Sequence, residues 1–410
     1  MRTQETLAGL LIAMSLGVAG CVSGSAVSPL PASSNPGTPT SGSGSSTTAS
    51  AATQPTGSAP QTASPAAGTF NATGSMTVER GSSTATLLPN GLVLVVGGRD
   101  VHSVALASAE LYDPKTGLFT LTGSMSAPRA FHSAALLSDG KVLIVGGEGN
   151  NGYVAQAELY DPKTGTFSAT GSLATPRVYQ SIVALADGRI LVVGGRDPKP
   201  TQLASAEIYD PGTGKFAPAG TMAAGREQAT ATLLPSGRVL VAGGTNHSGL
   251  LATAELFDPG TLGFTQTGSI ATARYAHTAT SLSDGRVLIV GGEGVQGSHS
   301  VTLASAELYD PSSGLFSSTG SMSVGRAFQS AVRLADGRIL LSGGQAGGVP
   351  TLASAELYDP GAGAFSGTGS LVSPRDGSPA ATLLPDGRVL VTAGYGRDDY
   401  GLSSAEVYQP

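Results

Sequence analysis

The chain has 410 residues, a formal charge of −6, 59 glycines, no tryptophan and a single cysteine. An acidic balance with no basic patch argues against a nucleic-acid partner, and one cysteine excludes an intrachain disulfide. Abundant glycine beside scarce aromatics suits sheets that stack closely through small side chains.

At the N-terminus, Leu7 to Gly20 is an apolar run preceded by Arg2 and Glu5. It is shorter than the roughly 20 residues a spanning helix needs, so it reads as an export signal. It ends Val18-Ala19-Gly20-Cys21, which resembles the lipobox of bacterial lipoproteins. That resemblance implies cleavage before Cys21, a diacylglycerol on its sulfur, and anchoring of the protein to a membrane of the cell envelope. Each buried CH₂ of such an anchor contributes about 0.8 kcal/mol. Val22 stands where aspartate commonly marks inner-membrane retention, so the resemblance leans toward the outer membrane or cell surface. Residues 1–21 are thus expected to be a signal peptide. Residues 22–66 are Ser, Thr, Ala, Gly and Pro almost throughout. They cannot bury enough apolar surface to offset their ordering entropy and should form a flexible tether.

From Phe70 to Pro410 a unit of about fifty residues recurs seven times. Gly97-Gly98 returns at 146–147, 194–195, 243–244, 291–292 and 343–344, then as Ala393-Gly394. Ala109-Glu110-Leu111-Tyr112-Asp113-Pro114 returns in each unit. Such a period signals units that bury their apolar faces only against neighbours. The second unit shows four strand candidates: Phe131 to Leu137, Val142 to Val145, Ala155 to Tyr160 and Phe167 to Ser172. They are separated by the Asp139-Gly140 turn, by Gly146-Gly147 and by Asp161-Pro162-Lys163-Thr164-Gly165. Four antiparallel strands repeated seven times predict an all-β, seven-bladed propeller over residues 67–410. The chain stops after a third strand, so the segment around Thr69–Met76 is expected to complete the last blade and close the ring, leaving no open edge there.

The double glycine, the Tyr-Asp-Pro turn with its glycine, the aromatic after it and the Arg before each first strand resemble the kelch repeat of kelch-type and galactose-oxidase-type propellers. The usual tryptophan is replaced by Phe70, Phe119, Phe167, Phe216, Phe264, Phe316 and Phe365. A copper-radical oxidase of the galactose-oxidase kind needs a cysteine crosslinked to a tyrosine. The propeller contains no cysteine, so that chemistry is excluded.

Alternation places the near-invariant Asp-Gly and Asp-Pro turns on one face and the variable segments after each double glycine on the other, together with the repeated Arg. Variable loops on a rigid frame are where recognition is usually placed. Arg80, Arg129, Arg177, Arg226, Arg274, Arg326 and Arg375 match in number Glu110, Glu158, Glu207, Glu255, Glu307, Glu356 and Glu406. A carboxylate packed between blades needs a cation, which gives a structural pairing within each blade. The functional alternative is a positive rim at the channel mouth that binds carboxylate or sulfate groups. The residues after each Arg enter the innermost strands, including Phe131-His132, Tyr179, Tyr275-Ala276-His277 and Phe328. Aromatics beside polar donors suit sugar or peptide recognition. The candidate ligand-binding set is Arg129, His132, Arg177, Tyr179, Arg274, His277, Arg326 and Arg397. No cofactor or metal is expected: the five histidines show no metal-binding spacing, and Gly-Gly is not followed by the Lys-Ser/Thr of a phosphate loop. Glu227, Asp376, Asp398 and Asp399 are the only loose candidates for acid–base work, and no catalytic residue is assigned. The expected function is a monomeric, lipid-anchored binding module that shows its variable face to a protein or glycan at the envelope. An envelope enzyme acting on sugars, of isomerase or lyase type, is the alternative.

Overall fold

The computed structural model describes residues 68–297, 299–347, 351–398 and 400–410. The apolar run, Cys21 and the 22–66 spacer lie outside the described residues, as does Asp399. Residues 67–410 form one compact unit. It contains seven four-stranded antiparallel sheets, and every regular element described is a strand. The second blade runs outward through Ser133–Leu136, Val142–Val145, Gln156–Asp161 and Thr166–Ser172. Its first strand begins two residues later than the sequence suggests, because Phe131 adopts φ +54° and turns the chain before the ladder starts.

Each first strand touches the first strands of both neighbouring blades, so the seven encircle a central channel. Each second strand is buried at every position and apolar throughout, as in Val142-Leu143-Ile144-Val145, except for Ser342 and Thr392 at the ends of two of them. Both of its faces are covered, one by each neighbouring blade. The apolar clusters accordingly span consecutive blades. One joins Leu88, Leu94 and Val96 to Val142 and Ile144. Another joins Leu384, Leu390 and Val407 of the last blade to Val93 and Tyr112 of the first, which closes the circle. Each such Val or Leu contributes about 1.5–3 kcal/mol on full burial.

The last blade consists of Ala380–Leu383, Val389–Thr392 and Ala405–Gln409, completed by Thr69–Ala72. The register pairs Thr69 with Gln409 and Phe70 with Tyr408. The N-terminal strand therefore completes the ring, as the phase of the repeats predicts.

In six blades the third-strand tyrosine and fourth-strand phenylalanine pack with ring centres 4.8–4.9 Å apart. The tyrosine hydroxyl then meets a threonine from the end of the preceding blade, as in Tyr160–Thr122 at 3.0 Å. The fourth blade carries Phe257 instead, and the residue in the threonine position is Ala219, fully buried in the same cluster. Both partners of the hydrogen bond are missing together, so neither is left unsatisfied.

Candidate functional site

The repeated arginines are 0–1 % exposed. Each Nη2 donates to its blade's glutamate Oε1 at 2.7–3.0 Å. Each Nη1 donates to the carbonyl of the first residue of the double-glycine pair, as Arg226 does to Gly243 at 2.9 Å, and to the carbonyl just before the third strand, here Thr253 at 3.0 Å. The other glutamate oxygen accepts a backbone N–H from the incoming crossover, as Glu255 does from Ala223 at 2.9 Å. Burial pulls each guanidinium below its usual range, and the glutamate opposes that shift. The pair thus clamps each crossover onto the blade it enters. Arg129, Arg177, Arg274 and Arg326 are therefore corrected from a ligand-binding rim to structural clamps: their donors are turned inward and water does not reach them.

His132 and His277 are also corrected. Both are 6 % exposed and wedge between blades. Their Nε2 atoms lie 3.0 Å from Thr84 Oγ1 and Thr230 Oγ1 of the preceding blade. Desolvation, reinforced by Arg129 or Arg274, pulls both imidazoles down to about 3. They stay neutral and face no cavity, so they do not form the acid–base site a sugar-acting enzyme would need. Two other blades place glutamine at the same position, with Gln180 Nε2 donating to the Val145 carbonyl and Gln329 Nε2 to that of Val290.

This arrangement predicts a pH effect. An unfolded imidazole titrates near 6.5. Above that pH neither state holds the proton, and stability is unaffected. Below it the unfolded chain binds protons that the folded one refuses, so stability falls until about pH 3. His132→Gln with His277→Gln should match wild type at pH 7.5 and become progressively more stable than wild type below about pH 6.5, by several kcal/mol near pH 3.5. Melting temperatures across that range test this, and parallel curves for the two proteins would contradict it.

The residue two places after each of the first six clamp arginines has a left-handed backbone, φ +51° to +55°, at Ser82, Phe131, Tyr179, Gln228, Ala276 and Phe328; after Arg375 both Gly377 and Ser378 are left-handed, at +66° and +58°. This conformation costs about 1–2 kcal/mol per non-glycine residue. It is held by hydrogen bonds from blade to blade around the channel mouth: Gln228 N to Tyr179 O at 3.1 Å, Ala276 to Gln228 at 3.3 Å, Phe328 to Ala276 at 3.0 Å and Ser378 to Phe328 at 2.8 Å. The residue between, next to the arginine, bridges to the residue just after the double glycine, as in Val178–Arg196 and Tyr275–Glu293. Clamp, mouth and variable loops therefore share one face, as expected.

Of the candidates, Tyr179 belongs to this mouth. Its ring packs 5.0 Å from Phe131. The Arg196 guanidinium lies over it at 5.2 Å, and Arg99 lies over Phe131 at 5.0 Å. Burial pushes the Tyr179 phenol well above its ordinary range. Glu148 binds Arg99 at 2.6 Å, and Glu227 sits 3.5 Å from Arg196. Burial works against the Arg196 charge, but Glu227 and Tyr153 outweigh it and its pKa is raised. Tyr275 meets Phe328 edge-on at 6.3 Å, and Tyr395 reaches Ser82 at 3.1 Å. Arg397 lies exposed in a turn of the last variable loop.

Fourteen of the ten phenylalanines and eleven tyrosines form the seven blade pairs. The seven left over are Phe131, Tyr153, Tyr179, Tyr275, Phe328, Tyr395 and Tyr400. All seven lie on the variable face.

On the opposite face a cavity of about 490 Å³ opens at the other channel mouth, between Ser283, Arg333, Leu334 and Leu383. It holds no acid–base pair. Among the described residues no three His, Cys, Asp or Glu side chains come together to hold a metal.

Repeat, blade and clamp together define a seven-bladed β-propeller. Residues 80–126, 129–173 and 183–223 match the Kelch motif, one match in each of the first three blades. Among solved structures the chain is similar to a fungal alcohol oxidase described as having catalytic diversity among the AA5 family, in complex with copper. The TM-score is 0.69 at 18% identity, covering 84% of this chain and 76% of that one. That likeness is one of fold. No curated protein matches the chain.

Proposed function

We propose that this protein is an interaction module of the bacterial cell envelope, tethered through lipidated Cys21 and presenting the variable face of a monomeric propeller to a protein or glycan. The observation that carries the reading is the placement of every aromatic outside the frame pairs on one face. Aromatic anchors dominate binding surfaces because they bury much area at little entropic cost. The described chain starts at Gly68, in the corner where other blades place the Asp-Pro turn.

The test compares wild type with Phe131→Ala/Tyr179→Ala/Tyr275→Ala and with Arg333→Ala on the opposite face, using glycan arrays and crosslinking in envelope preparations. The triple variant should lose the wild-type ligand, each anchor costing about 2 kcal/mol or more, while Arg333→Ala keeps it. Retention by the triple variant would refute the placement. In the same preparations Cys21→Ser should move the protein from the membrane to the soluble fraction.

A further inference from the structure

Charge narrows the chemistry of the partner. The seven internal Arg–Glu pairs cancel. On the turn side Asp187, Asp284, Asp336 and Asp386 each meet an arginine two residues on, at 2.6–2.7 Å. The variable face is not balanced in this way. Arg99 and Arg196 are engaged by Glu148 and Glu227. In all, its described residues carry Glu79, Asp100, Glu148, Asp197, Glu227, Glu293, Asp376 and Asp398 against Arg99, Arg196, Lys199 and Arg397. Eight acids against four bases leave −4 on the face that also holds the aromatics, most of the chain's formal charge of −6.

The face already shows how it holds a cation. Arg196 lies over the Tyr179 ring with Glu227 beside it, and Arg99 lies over Phe131 beside Glu148. Attraction of a cation to the ring face, reinforced by a carboxylate, holds such a group where water is partly excluded. Blades five and six repeat the ring-and-carboxylate half of this arrangement. Tyr275 bridges to Glu293 and packs against Phe328, and Glu293 is 8 % exposed, its oxygens accepting from Ser300 and Gln345 at 2.8 and 3.1 Å. Among the described residues no cation of the chain is paired with it.

We infer that the variable face docks a cationic protein segment, with a lysine or arginine seated against Tyr275, Phe328 and Glu293. This rests on the reading of the face as an interaction surface. The full-length protein in detergent is tested with decalysine, decaglutamate and dextran at about 0.05 and 0.5 M salt. Decalysine should bind, weakening about tenfold or more at the higher salt. Glu79→Gln/Asp197→Asn/Glu293→Gln should weaken it about tenfold, whereas Asp187→Asn/Asp284→Asn/Asp336→Asn, removing as many charges from the turn side, should change it less than about twofold. Absence of decalysine binding, or equal loss from both triple variants, overturns the inference. If dextran or decaglutamate binds in a Tyr179-dependent way while decalysine does not, the cationic partner is refuted and the interaction surface stands. If only the turn-side variant lowers binding, both fall.

Discussion

Arg226→Ala should destabilise the propeller by about 3–5 kcal/mol, although the residue lies on a crossover between blades. Removing one member of a buried ion pair leaves an uncompensated charge, which is the origin of that magnitude. Here Glu255, 2 % exposed, would be left with only the Ala223 amide. The Gly243 carbonyl would lose its donor in the same step, while the Thr253 carbonyl would keep only the Gly243 amide, and an orphaned buried acceptor costs about 1–3 kcal/mol. Salt should not mask the loss, because screening is weak at a site closed to solvent. Arg226→Met with Glu255→Leu should cost much less than the two single changes added together, since no charge remains to be solvated. Denaturant unfolding of the three variants tests this. A loss below about 1 kcal/mol for Arg226→Ala would mean that water reaches the clamp after all.

The same clamps show how far the sequence could be read. Seven arginines and seven glutamates at fixed phase specify a pairing, since a carboxylate packed between blades must find a cation. Continuous runs such as Val142–Val145 specify strands buried on both faces, and the missing fourth strand specifies the closure. The site was harder to resolve for a local reason. Phe131 and His132 are adjacent, and strand alternation alone cannot tell which reaches the channel mouth. The backbone at Phe131 turns left-handed, which puts the phenyl ring at the mouth and sends the imidazole under the first blade. Arg99, Arg196, Glu227 and Glu293 lie in or beside segments flagged as variable. The carboxylate contacts Arg99–Glu148, Arg196–Glu227 and Gln345–Glu293 run across blades, between residues about 30 to 50 positions apart, and no single repeat displays them. An available signal was the left-over aromatic count: once each blade has its Tyr–Phe pair, the remaining rings have no frame role.

Deleting residues 68–76 should leave a protein that aggregates or melts far below wild type, because the last blade loses its outermost strand. Phe70, 7 % exposed and 4.8 Å from Tyr408, would leave the core it shares with Leu357, Leu371 and Val391, which alone costs about 3–5 kcal/mol. The ladder from Thr69–Gln409 to Ala72–Glu406 would go with it, exposing the Ala405–Gln409 edge to pairing with other chains. Together these losses are comparable with the roughly 5–15 kcal/mol that stabilises a typical domain. A second variant separates strand from sequence position. In the first blade the order is Asp113-Pro114-Lys115-Thr116-Gly117-Leu118-Phe119, while the two ends of the propeller read Gln409-Pro410 and Gly68-Thr69-Phe70. Moving residues 68–76 to follow Pro410 through a Lys-Thr linker would rebuild an ordinary blade with a standard turn. That permutant should recover soluble expression and most of the lost melting temperature, measured by scanning calorimetry. If it fails while its circular dichroism still shows a folded sheet, the N-terminal position of the strand matters in its own right. If the simple deletion melts like wild type, the ring does not depend on this closure.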